Sequence, residues 1–206
     1  MRWYYGWNIV AVGMLFQAVI FGLIFYTYTF WAEAWMGDFG IERSEVMMPF
    51  FIATLAMGIV ISPFAGRLMD TRSIRHLIII GLFCIALGFF LIAQATALWQ
   101  IIAIYATLVP IGVVLAGPLP AQTLVSRWFG KRRGLALGIV TTGTSVGGMT
   151  IPLLVSNTVV DFGWRAIHEF IALGIALTLP IIVWFVVRNH PGDMGLQAEP
   201  EADLKP

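Results

Sequence analysis

The chain has 206 residues, 59% of them hydrophobic and 11% charged, with a mean hydropathy of +0.88, where a soluble domain carries roughly a quarter charged residues. The formal net charge of +1 gives no bulk attraction to nucleic acid, and the single cysteine, Cys84, excludes an intramolecular disulfide and a CxxC metal or redox site. Apolar residues run on without alternating, so the fold class is an all-α membrane protein and not a strand barrel.

The first apolar segment covers roughly residues 8–32. Arg2 precedes it and Ala32-Glu33-Ala34 looks like a leader-cleavage site, but no charge occurs from Trp3 to Ala32. That run exceeds the roughly 7–15 residues of a signal core, so it reads as a retained helix. Five further segments are long enough to span about 30 Å, at roughly 46–65, 77–96, 98–125, 134–157 and 167–187. The third and fourth are expected to form a tight antiparallel pair, and the six to fall into two three-helix units, about 8–96 and 98–187. Cys84 sits mid-way along an apolar run and reads as a small buried hydrophobe. After Val187 the chain turns polar and proline-rich, which predicts a solvated tail or linker over residues 188–206.

Orientation follows from cations. The N-terminus, the second and fourth connections and the tail together carry Arg2, Arg67, Arg72, Arg75, Arg127, Lys131, Arg132, Arg133, Arg188 and Lys205, while the opposite end has only Arg43 and Arg165. The positive-inside rule then places both termini in the cytoplasm, in a plasma or inner membrane.

Two connections at the basic end carry the densest signals. In GRLMDTRSIRH, residues 66–76, Gly66 is expected to permit a tight turn and Asp70 to sit beside cations near the start of the third helix. In RWFGKRRGLALG, residues 127–138, Arg127, Lys131, Arg132 and Arg133 hold the turn near anionic headgroups, and Trp128 and Phe129 suit the interface. Gly134, Gly138, Gly143 and Gly147 would keep one side of the fifth helix thin, and Pro152 would bend its outer half. Polar residues inside the spans are candidates for a substrate path, because each is costly unless bonded or wetted. Gln17, Phe21, Ile24 and Tyr28 share a stripe on the first helix, the fourth offers Tyr105 and Thr107, and the fifth offers Thr141, Thr142, Thr144 and Ser145. Gln17, Tyr28 and Tyr105 lead, with an interhelical hydrogen bond as the competing role of each. His168-Glu169 reads as a solvated interfacial pair. No residue cluster calls for a metal or a cofactor.

The 66–76 stretch resembles the G-x-L-x-D-R-x-G-x-R-R signature of the major facilitator superfamily of secondary transporters: Gly66, Leu68, Asp70 and Arg75 match. Thr71 stands where Arg is usual and Ser73 where Gly is usual, with Arg72 supplying the displaced cation. Trp128-Phe129-x-Lys131-Arg132-Arg133-x-x-Ala136-x-Gly138, followed by Gly143, is similar to the signature of the monocarboxylate porter branch, which includes oxalate/formate exchangers. Tyr5-Gly6-Trp7 resembles that branch's first signature without its usual acid, and Pro191-Gly192-Asp193-Met194-Gly195-Leu196 resembles its P-x-D-x-G-L segment. The resemblance implies half of a twelve-helix fold, working by alternating access, with Gly66, Asp70, Arg72 and Arg75 in a cytoplasmic gate. It also implies that the first and fourth helices line the central cavity. The lysine that some relatives carry in the first helix is replaced here by Phe25, the fourth helix lacks the arginine of many proton-coupled members, and the anion-binding cations belong to the absent second half.

The expected function is therefore transport of a small organic anion, a mono- or dicarboxylate, with a coupled proton or an exchanged anion. The partners are the lipid bilayer and a second six-helix half, supplied by the same chain, a separate chain or a second copy. A fragment, an assembling half and a non-transporting structural or regulatory protein are the alternatives. Gly143-Thr144-Ser145-Val146-Gly147 with His168 also fits the pattern of a rhomboid-like serine protease, but depth opposes it. Ser145 falls 12 residues short of Asn157, roughly 18 Å below the end where His168 lies, so no enzyme is expected.

Overall fold

A backbone placed in lipid has only itself to hydrogen-bond, and these apolar runs accordingly coil. The computed structural model describes residues 4–199, apart from the side chain of Val160, and among the described residues it has helices and no strand. Among the described residues six spans are long and apolar enough to cross a membrane: span 1 (Gly6–Phe39), span 2 (Arg43–Thr71), span 3 (Ile74–Ala93), span 4 (Leu98–Trp128), span 5 (Arg133–Val159) and span 6 (Asp161–Val186). Arg2 and Lys205 of the cation census lie outside the described residues.

Several ends fall elsewhere than expected. Span 1 runs on past residue 32 to Phe39, because Glu33 and Asp38 sit in its wet outer turns, where Asp38 accepts from Trp164 Nε1 at 3.0 Å and pairs with Arg165. Gly40, at φ +63°, then stops it in the left-handed region that glycine enters freely. Span 2 begins early, at Arg43, on a capping box between Glu42 and Glu45. Span 4 is three pieces, Leu98–Ala106, Leu108–Ala116 and Pro118–Trp128, broken at Thr107 and Gly117. Proline has no N–H to donate and crowds the preceding turn, which accounts for the break ahead of Pro118. Spans 5 and 6 are joined through Gly163, whose φ of +75° reverses the chain in one residue.

Span 1 packs beside span 5 in the same direction, while span 3 packs antiparallel to spans 4 and 6. Span 2 lies mainly on span 4 and is the least buried of the six. The two three-helix units therefore interleave, because spans 1 and 3 each bury a face against the other unit. Cys84 on span 3 is half-buried. The closest backbone approach is between spans 1 and 5. A Cβ added at Gly143 would stand 2.2 Å from the Met14 carbonyl oxygen, and one at Gly147 would stand 2.0 Å from that of Ala18. Only glycine permits that contact. Gly134 and Gly138 have nothing within 4 Å of such a Cβ, so the thin side of span 5 is made by Gly143 and Gly147 and not by all four glycines.

The tail is exposed over residues 192–198 but is tied to the basic end at both ends of its described length. Trp128 Nε1 donates to the Arg188 carbonyl at 3.1 Å, the Asn189 side chain joins Ser73 Oγ to the backbone N–H of Arg75, and Pro191 is buried. Glu199 accepts from the Arg132 backbone at 2.9 Å while its own N–H reaches the Trp128 carbonyl at 3.2 Å.

Candidate functional site

At the basic end, rings from two distant sequence stretches interlock. Tyr4 meets Phe129 edge-on at 5.4 Å, Tyr5 lies against Trp128 at 5.5 Å and Trp7 against Phe129 at 5.1 Å. Gly6 passes beneath, with room for no side chain between the Tyr4 and Phe129 rings. Trp128 is fully buried and is thus a packing pivot, where an interfacial anchor was expected. The Tyr4 hydroxyl donates to the Trp128 carbonyl at 2.6 Å, and burial raises the phenol's pKa, which keeps that proton in place. Arg127 bridges from here to the 66–76 loop, donating to the Met69 carbonyl at 2.9 Å and lying 3.3 Å from His190 Nε2. Lys131, Arg132 and Arg133 are exposed, and Arg132 pairs with Glu199 at 3.6 Å.

The 66–76 loop is built differently from its sequence reading. Gly66 is inside the helix of span 2 and makes no turn; the reversal occurs at Arg72 and Ser73, both extended. Asp70 occupies the last turn of span 2, exposed, and is joined to no cation among the described residues. The cations there find other partners. Arg75 places its guanidinium 3.9 Å from the centre of the Trp184 ring, and Arg72 projects outward.

The path candidates in the spans are tied up between helices. Gln17, 2% exposed, accepts from Thr144 Oγ1 at 2.8 Å and so links spans 1 and 5, leaving its own Nε2 buried without a partner. Tyr28 donates to the Val46 carbonyl at 2.6 Å, and Tyr105 packs edge-on against Tyr28 at 5.6 Å. Thr107, Thr141 and Thr142 turn back onto carbonyls of their own helices. His168 corrects its reading outright. It is fully buried between Trp31, Trp35, Phe89 and Trp164, with Nδ1 on the Trp164 carbonyl at 2.7 Å, while Glu169 turns away to Gln94. Ser145 is exposed on span 5, and no hydrogen bond joins it to His168.

The opening that the spans leave lies elsewhere. A cleft of about 310 Å³ is walled by Phe21 and Phe25 of span 1, Met57, Ser62 and Gly66 of span 2, and Val113, Val114, Pro118 and Leu119 of span 4. Each wall departs from α geometry at the cleft. Span 1 widens to a π-helix over Gly22–Tyr26, span 2 does so over Ala56–Ile61, and span 4 breaks at Gly117. Such departures concentrate where membrane helices line cavities. Side chains cover the loosened carbonyls: Thr27 Oγ1 donates to Leu23 at 2.6 Å and Ser62 Oγ to Met57 at 2.6 Å. The extra residue in the first π turn also breaks the Gln17, Phe21, Ile24, Tyr28 stripe. Gln17, Ile24 and Tyr28 are buried among helices, while Phe21 and Phe25 face the cleft, stacked at 4.8 Å. Sequence reading reached part of this site, naming Phe21, Phe25 and the first and fourth helices, but not its span 2 wall, where Ser62-Pro63 was a mark. A larger groove, about 500 Å³, runs along the other side of span 2 past Phe64, Arg67 and Thr71.

Residues 7–205 match the family model described as Major Facilitator Superfamily. Human monocarboxylate transporter 14 is 32% identical over 166 residues, which is 78% of this chain and 32% of that protein. An MFS-type transporter of Gibberella moniliformis is 31% identical over 140 residues, 66% of this chain and 33% of the other. The chain thus spans about a third of the length of these curated relatives. A bacterial homologue of the human lysosomal transporter Spinster, solved inward-facing and unoccupied, superposes with a TM-score of 0.73 at 15% identity, covering 99% of this chain and 47% of that one. Together with six interleaved spans and the two interlocked signatures at the basic end, the match establishes that the chain belongs to the major facilitator superfamily.

Proposed function

We propose that this chain is one six-helix half of a secondary transporter for a small organic anion, a mono- or dicarboxylate, working by alternating access against a second half. The observation that carries the reading is the cleft, where three spans give up α geometry at one place. Irregular backbone is costly in lipid and is tolerated where it lines a cavity. The monocarboxylate transporter among its relatives supports the substrate class. In this reading the basic end, with both termini, faces the cytoplasm of a cell membrane. The loop of Gly66, Asp70, Arg72 and Arg75, clamped through Arg127, forms the cytoplasmic gate. Hydrolysis through Ser145 has no support, since its only histidine candidate is enclosed by rings.

The test is flux. The purified chain, reconstituted into liposomes, is expected to take up labelled lactate, formate or oxalate above empty liposomes and to run as an assembly of two halves. A monodisperse monomer with no flux would refute transport by this chain alone.

A further inference from the structure

The geometry points to a cleft that takes the hydrocarbon body of an amphipathic monocarboxylate, with Phe21 and Phe25 setting that preference. The inference rests on the transport reading above and narrows its substrate class. No charged side chain lines the cleft. Its one hydroxyl, Ser62 Oγ, already donates its proton to the Met57 carbonyl at 2.6 Å. A carboxylate pressed against these walls would lose its water and gain no donor, which costs more than any contact there returns.

What the walls do offer is a ring plate. Phe21 and Phe25 stack at 4.8 Å with planes 19° apart, and Phe25 is braced edge-on by Phe50 at 5.7 Å, which leans on Tyr28 at 4.9 Å. An apolar cavity of about 150 Å³ holds a benzene molecule, so 310 Å³ has room for a ring with a short chain. The ligand therefore lies with its hydrocarbon end on the plate and its carboxylate turned away from spans 1, 2 and 4. Formate and oxalate have no hydrocarbon end and gain nothing from it.

Met57 lines the same cleft, and Cys84 on span 3 is the chain's only native thiol, which allows a test independent of flux. Met57→Cys in a Cys84→Ser background is labelled with a methanethiosulfonate reagent in detergent, with and without carboxylates. Phenylacetate and hexanoate are expected to slow labelling, and the half-protecting concentration should fall about fourfold per added methylene from butyrate to hexanoate. Formate and oxalate should not protect at the same concentrations. Adding Phe21→Ala or Phe25→Ala should flatten the series, and Phe25→Leu, which preserves volume better, should keep part of it; size-exclusion profiles check that each variant is folded. Equal protection by oxalate, a chain-length series unchanged in both alanine variants, or no protection by any carboxylate would overturn the inference. Oxalate flux in liposomes without protection would sink it while leaving transport intact. Protection without flux would support it and refute transport by the chain alone.

Discussion

Replacing Gly143 by alanine tests the packing of spans 1 and 5 at its tightest point. The new methyl carbon would lie 2.2 Å from the Met14 carbonyl oxygen and 2.9 Å from its carbonyl carbon. Ordinary contact needs about a further 1 Å, and both obstructing atoms are backbone, so no rotamer change provides it. Either the helices separate, forfeiting contacts along their length, or the backbone bends. Overpacking of this kind costs about 1–3 kcal/mol, and Gly147→Ala, facing the Ala18 carbonyl oxygen at 2.0 Å, should cost no less. The controls lie on the same helix. Gly134→Ala and Gly138→Ala meet nothing within 4 Å and gain helix propensity, so they should be neutral or stabilising by up to about 1 kcal/mol. Gly13, whose added Cβ would meet Ala121 and Val140 at 3.4 Å, should tolerate alanine. Thermal unfolding of the detergent-purified protein, read by size-exclusion after heating, ranks the five variants. If Gly143→Ala melts with Gly138→Ala, the close approach of spans 1 and 5 is wrong.

Trp128→Ala should cost about 3–5 kcal/mol, since it empties a fully buried ring site; Trp128→Phe, losing chiefly the bond to Arg188, should cost about 1 kcal/mol in the same melting assay. Thr144→Val should destabilise more than Gln17→Leu, because it strands the whole Gln17 amide, whereas Gln17→Leu removes a donor that has no partner; the reverse order would contradict the spans 1–5 link. Asp38→Asn, at a pair whose side chains are 42–45% exposed, should cost only about 0.2–1 kcal/mol. That cost should shrink further as salt rises in denaturation at increasing ionic strength.

Span number, the shared end of the basic loops and the family were legible in the sequence because each depends on residue type over long stretches or on fixed short spacings. The cleft was legible only in part. Assigning a face to Phe21 or Tyr28 assumes 3.6 residues per turn, and one π turn between them changes the answer. His168 misled for a related reason. Its neighbours in sequence, Arg165 and Glu169, mark a wet helix end, but besides Trp164 its neighbours in space are rings from spans 1 and 3 that no local pattern reveals. The tail's polar composition matches its exposed residues 192–198 but does not show where its ends attach. What docks it is single bonds from Asn189, Arg188 and Glu199 to a loop and a helix end far away in sequence.

Span 2 is where a moving wall is expected. Only 17% of its most apolar stretch is buried inside the bundle, against 22% in span 5, 28% in span 6 and 56% in spans 1, 3 and 4, and grooves flank it on both sides. Its middle, Ala56–Ile61, is π-helical with no buried residue, so little side-chain packing opposes a change in its winding. The first turns are held to span 1 by the Tyr28 bond to Val46, and the last by the Arg127 bond to Met69, which leaves the middle as the weakest stretch. Local opening follows low contact density. In hydrogen exchange on the protein in lipid nanodiscs, peptides covering residues 56–61 should therefore exchange well ahead of those covering 77–92, where Leu77, Ile78, Leu82, Ile85, Phe89 and Ile92 are all buried. Equal protection of the two segments would mean that the π stretch is as firmly held as the α-helix of span 3, and that the cleft cannot widen through span 2.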